Sequence, residues 1–198
     1  MYVVKYSGPF GFIKPWTAVR DKETFSQQFL TPSILEGIEK KIFPEFLEKD
    51  SEGKFLYQGV QRIIRHRLNY CGLDSQQERT WSKGGFSVTK EKGVYKTNQG
   101  IITRGVMINP NLYLAFDKKE FAEIAFSQTI CLCRNEDILH PVDFWEISAE
   151  EFELVPGFEL VEADVDNGFK VGYNRFKDAE EMYGELKVFG NPIRDHYE

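Results

Sequence analysis

A helix with a marked start, set behind a short β-favouring segment, constrains this chain more than any other stretch. Thr31-Pro32-Ser33 opens it. The Thr31 hydroxyl can cap the first turn, Pro32 suits the first helical position because a missing N–H is no loss there, and Ser33 with Glu36 offers an alternative capping pair. Ile34, Leu35, Ile38 and Ile42 then share one face at helical spacing. Gly37 is disfavoured in a helix by up to about 1 kcal/mol against alanine, so a close approach to the backbone is expected there. Pro44 pushes Phe43 out of helical geometry and ends the element.

The flanking segments read as strands. Residues 2–6 alternate weakly and are β-favouring, which predicts the first strand. In the loop that follows, Phe10, Phe12 and Trp16 could stack bases with Lys14 on a phosphate, but most of these rings are expected in the core. Residues 55–70 carry Arg62, Arg65, His66 and Arg67 among apolar residues. Tyr57, Val60, Ile64, Leu68 and Cys71 fit a helix; the β-branched pair favours a strand with Arg65 and Arg67 on one face, and a strand is the reading taken. Three arginines this close are too many for a buried surface, so at least two must meet solvent, acids or phosphate.

Residues 72–100 are polar, with five glycines, and hold Arg79, Lys83, Lys90, Lys92 and Lys96 around Trp81, Phe86 and Tyr95. They predict an extended hairpin turning near Lys90-Glu91-Lys92-Gly93. Residues 101–116 read as strand broken at Asn109-Pro110-Asn111, and 117–135 as a second helix. Asn167-Gly168 predicts a terminal hairpin between residues 158–165 and 169–173. A last short helix is expected over 177–186. The alternation predicts an α+β, ferredoxin-like or RRM-like sheet with a projecting hairpin and a small β-rich C-terminal addition. One compact unit is expected, with a main part over 1–135 and an acidic part over 136–198.

The net charge of −6 hides an asymmetry. Residues 1–120 hold 19 Lys and Arg against 13 Asp and Glu, whereas 121–198 hold 6 against 18. A basic part that neutralises phosphates and an acidic part that avoids them, or docks on a basic protein surface, accounts for this split. Two differently solvated faces would account for it as well. No apolar run reaches a membrane-spanning length, and Cys71, Cys131 and Cys133 form no even secretory framework, so a cytoplasmic protein without membrane attachment is expected.

Thr31-Pro32-Ser33, Gly37-Ile38 and Ile42 resemble the T-P-S-A-A-x-G-I-L-E-A-I pattern of the CRISPR-associated Cas-five family, the Cascade subunit that caps the 5′ handle of the guide RNA. Half of that pattern matches, and the likeness covers roughly residues 1–116. It implies a RAMP-type ferredoxin-like fold. It further implies non-catalytic binding of the guide-RNA handle inside a surveillance complex, with the backbone-forming and large subunits as partners and no stand-alone homo-oligomer. The family's thumb falls by position on residues 72–100. The RNA-binding candidates are Lys14, Arg62, Arg65, Arg67, Arg79, Lys83, Lys90, Lys92 and Arg104, and no cofactor is expected.

Two other readings stand beside this one. The first is a metal-independent endoribonuclease, as in the type I-C branch of the family, but the tyrosine of that branch is matched by Phe43 and no Lys-His dipeptide is present. Tyr57, His66 or His140 could substitute after folding. The second is a ferredoxin-like adaptor without an RNA site, against which stand ten Lys and Arg and three Asp and Glu between Lys54 and Arg104. Walker, dinucleotide-binding and G-x-S-x-G motifs are absent. Cys131 and Cys133 with His140 fit no usual zinc spacing and are read as small buried thiols; Asp164 to Gly168 is read as a turn rather than a calcium loop.

Overall fold

The computed structural model describes residues 1–18, 22–81, 87–97 and 99–195. In chain order, β1 (Tyr2–Ser7), β2 (Phe10–Gly11) and β3 (Glu23–Phe25) precede α1 (Pro32–Ile42) and a 3₁₀ turn (Pro44–Leu47). Then come β4 (Ile63–Asn69), β5 (Gly72–Trp81), β6 (Val88–Glu91), β7 (Val94–Thr97), β8 (Gln99–Ile108) and β9 (Asn111–Phe116). The remainder is α2 (Lys119–Phe126), β10 (Ile130–Cys131), β11 (Ile138–Glu146), α3 (Ala149–Glu153), β12 (Gly157–Glu162), β13 (Phe169–Asn174) and β14 (Glu180–Phe189). The fold is mixed and strand-rich, built mainly from antiparallel sheets. No helix is long and apolar enough to cross a membrane.

One eight-stranded sheet runs in the order β10-β11-β1-β9-β4-β12-β14-β13. Within it, β1 lies between β9 and β11 and antiparallel to both, while β4 pairs antiparallel with β9. Helix α1 carries the chain from β1 to β4, and α2 carries it from β9 to β11. Leu35, Ile38 and Ile42 of α1 and Ala122 and Ala125 of α2 share one buried cluster with Val4, Tyr6, Leu114 and Phe116, so both helices cover the same sheet face. Phe152 of α3 packs with Val3 and Ala115 on the other face.

Helix α1 forms as its sequence requires. The Thr31 oxygen accepts from the Ile34 N–H at 3.4 Å, Pro32 takes the first position, and Phe43 follows the last turn. A Cβ on Gly37 would lie 2.2 Å from the Arg175 guanidinium, which is the close approach that the glycine signals. The helix's polar side is buried too. Glu39 accepts the backbone N–H groups of Gln61, Arg62 and Ile63 at 2.7, 2.6 and 2.8 Å and thereby steers the chain into β4.

Three expectations fail. The second helix stops at Phe126 instead of near residue 135, because Ile130 and Cys131 pair with β11 at the sheet edge. Residues 177–186 are not helical: Met182, Gly184 and Leu186 alternate inward on β14. The reversal at Asn167-Gly168 exists, with Gly168 N–H bonded to the Asp164 carbonyl at 2.9 Å, but β12 and β13 do not pair. Strand β14 lies between them and pairs with both. A division at residue 135 also falls inside the main sheet, since β11 beyond it pairs with β1.

Candidate nucleic-acid interface

Strands β5 and β8 form a ladder of ten residue pairs, from Gly72 opposite Ile108 to Trp81 opposite Gln99. Beyond it β6 and β7 pair from Val88 opposite Thr97 to Glu91 opposite Val94. The tip between them is Lys92-Gly93, with φ of 50° and 82°. Positive φ at both central residues is the two-residue turn whose twist matches a hairpin. These strands form a ribbon whose outer part is exposed throughout β6 and β7, with its turn where the sequence predicts it.

Alternation decides what the ribbon shows to solvent. Leu73, Gln77, Arg79 and Trp81 lie on one face of β5, and all are exposed. Ile101, opposite Arg79, is exposed as well. Further out, Lys90 faces Tyr95 across the strands with its Nζ 5.4 Å from the ring centroid, and Tyr95 is 69% exposed. Lys96 pairs with Glu91 at 2.5 Å. The surface therefore offers cations interleaved with open rings, the pairing that phosphates and bases require. Lys83 lies outside the described residues.

The ribbon's root is pinned on two sides. Arg104 reaches Glu78 at 3.4 Å, and Arg134 bonds Gln76 at 3.0 Å and the buried Asp137 at 2.6 Å. Both guanidiniums lie over the buried Phe12 ring, at 5.5 and 5.1 Å. At the other side, Arg194 bonds the Asn109 carbonyl just after β8, and its N–H bonds Tyr70 just before β5 at 2.8 Å. Arg104 is accordingly a positioning group for the ribbon, mostly covered and paired with Glu78. Arg134 and Arg194 carry no local motif; their role follows only from tertiary contacts.

The β4 arginines sit elsewhere and do other work. Of residues 55–70, expected as a strand, only Ile63–Asn69 form one, with a bulge between Ile63 and Arg65; residues 55–62 are irregular. Arg65 forks onto Glu159 through Nε and Nη2, both at 2.8 Å, and reaches Glu153 through Nη1 at 2.8 Å. Arg67 is 0% exposed, bonds Glu159, and stacks 3.5 Å from the Phe189 ring centroid. Arg62 bonds Glu45 at 2.6 Å and covers the rings of Phe43, Phe46 and Phe121. The requirement for acids is met, and by acids of this same chain. Placing Arg67 on RNA is thereby corrected: no solvent reaches it. Arg62 and Arg65 keep only partly open edges.

Groups weighed for catalysis do not converge. Phe43 is buried in the core. His66 is buried on β4, and burial, with Arg67 and Arg65 close by, pushes it down to about 3, so it stays neutral at ordinary pH. His140 is exposed on β11, three strand positions from β4, or roughly 14 Å at sheet spacing. Tyr57 packs against Phe46 at a tilt, with centroids 5.0 Å apart. Among the described residues, no group of three or more His, Cys, Asp or Glu could hold a metal ion.

No family model matches the sequence, and no curated protein matches it. Among solved structures, a chain of a CRISPR RNA-guided surveillance complex superposes over 96% of this chain and 90% of its own, with a TM-score of 0.51 and 11% identity. A chain of the Type III-B Cmr-beta complex bound to cognate target RNA and AMPPnP aligns over 96% and 84%, with a TM-score of 0.49 and 8% identity. At 11% identity the likeness is one of fold, and it spans nearly the whole of both chains.

Proposed function

We propose that this chain is a non-catalytic RNA-binding subunit of a CRISPR surveillance complex that holds the 5′ handle of the guide RNA. The β11-β1-β9-β4 order with two crossover helices on one face supports reading the sheet as a ferredoxin-like, RAMP-type domain. The observation that carries the reading is the ribbon: Arg79, Lys90 and Lys92 are exposed beside Trp81 and Tyr95 on an arm with a pinned root. An arm of that kind serves a chain wedged against RNA and neighbouring subunits, of which the backbone-forming and large subunits are the partners in this reading, and not a free monomer or a stand-alone homo-oligomer. The burial of Phe43 and His66 and the separation of His140 speak for binding without cleavage.

The test is affinity for a single-stranded guide-repeat RNA as a function of salt. Changing Arg79, Lys90 and Lys92 together to alanine is expected to weaken binding and to flatten the slope of log affinity against log salt by about 0.7 per lost phosphate contact. The wild-type chain is expected to leave a repeat-containing precursor intact in EDTA or magnesium. Unchanged affinity and slope in the folded triple variant would remove the ribbon from the interface.

A further inference from the structure

Lys14 lies off both the ribbon and the β4 arginines. It is exposed in the loop between β2 and β3, both of which pair with β8, so the loop is held beside the ribbon's root. Two residues on, Trp16 is 47% exposed and meets the 50% exposed Tyr173 of β13 edge to face, with centroids 6.0 Å apart. Lys170, paired with Glu181, lies 4.3 Å from the Tyr173 ring and 5.7 Å from Trp16. Gly172, at φ 128°, is packed so close that a Cβ would sit 3.2 Å from Trp16.

These groups rim a cavity of about 150 Å³, and Ser33 lines it. That is about five water volumes, room for one planar base. Ser33 is 6% exposed. It stands in the first turn of the eleven-residue α1, where the helix dipole favours negative charge, although Pro32 has no N–H and Thr31 already takes that of Ile34. Half-open rings favour a flat partner. Lys14 and the first turn favour an anion next to it. An apolar ligand would leave the second set unused, and a bare anion the first.

We propose that Trp16, Tyr173, Lys14 and Ser33 form a single-nucleotide subsite, in which a base stacks on Trp16 with its edge toward Tyr173 and its phosphate meets Lys14 and the first turn of α1. The proposal rests on the RNA-binding reading above for the source of the nucleotide, and it adds a contact point off the ribbon. The test uses the full chain with a labelled single-stranded RNA of eight nucleotides and, separately, adenosine and uridine monophosphate. Trp16→Leu is expected to weaken RNA binding about 5- to 100-fold, the range for loss of one stacked base. Trp16→Phe is expected to keep most of the affinity. Quenching of tryptophan fluorescence by either monophosphate, lost in Trp16→Leu, supports the subsite with free nucleotide as a source. Should Trp16→Leu fail to fold, Lys14→Gln with Ser33→Ala replaces it and is expected to lower the salt slope by about 0.7. Wild-type affinity in a folded Trp16→Leu chain, with binding still lost in the ribbon triple variant, overturns the subsite and leaves the RNA reading standing. No binding of RNA by the wild-type chain overturns that reading itself.

Discussion

Glu159 ties three neighbouring groups of β4 to β12. Its two oxygens take Arg65, Arg67 and the His66 backbone N–H at the seam where β12 leaves β4. Arg67 is fully buried, and its charge is supported by carboxylates, by the His66 carbonyl at 3.0 Å and by the Phe152 and Phe189 rings. Removing one partner of a buried pair leaves the other uncompensated, at a cost of about 3–5 kcal/mol, whereas a pair at the surface is worth about 1 kcal/mol or less. Glu159→Gln is therefore expected to lower stability by several kcal/mol in urea unfolding, and Glu153→Gln, at a 47% exposed carboxylate, by far less. Equal effects from the two would contradict this account of the seam. The sequence already demanded an acid, solvent or phosphate for these arginines. It could not choose, because Glu153 and Glu159 lie some ninety residues away and nothing local links them to β4.

Elements whose signals are local were legible, and elements whose partners are distant were not. The cap and proline of α1 and the turn residues Lys92 and Gly93 act within a few positions, so they can be read directly. Asn167-Gly168 likewise specifies a reversal, but not that β14 inserts between the strands on either side. The three C-terminal strands join the main sheet at one paired position, Phe158 opposite Leu68, beside the Glu159 seam. Gly157 stands next to it at φ 154°, and a Cβ there would lie 3.0 Å from the Leu68 carbonyl and 3.1 Å from Arg67 Cβ. Backbone on one side and a fully buried side chain on the other leave little room to yield. Gly157→Ala is expected to destabilise the chain by about 1–3 kcal/mol, the usual cost of overpacking. An unshifted denaturation midpoint would show the junction to be slack.

At the scale of the whole molecule, the charge split takes on a second meaning. Part of the acidic half is the internal counter-charge of the basic half: Glu153 and Glu159 neutralise Arg65 and Arg67 across the seam. Of the described RNA-binding candidates, Lys14, Arg79, Lys90 and Lys92 are the exposed ones, which moves the expected RNA path away from β4. Hydrogen–deuterium exchange of the chain with and without guide-repeat RNA separates the two placements most directly. The account predicts that RNA slows exchange along β5 to β8 and leaves residues 62–67 unchanged. Protection confined to residues 62–67, with none on the ribbon, would contradict it.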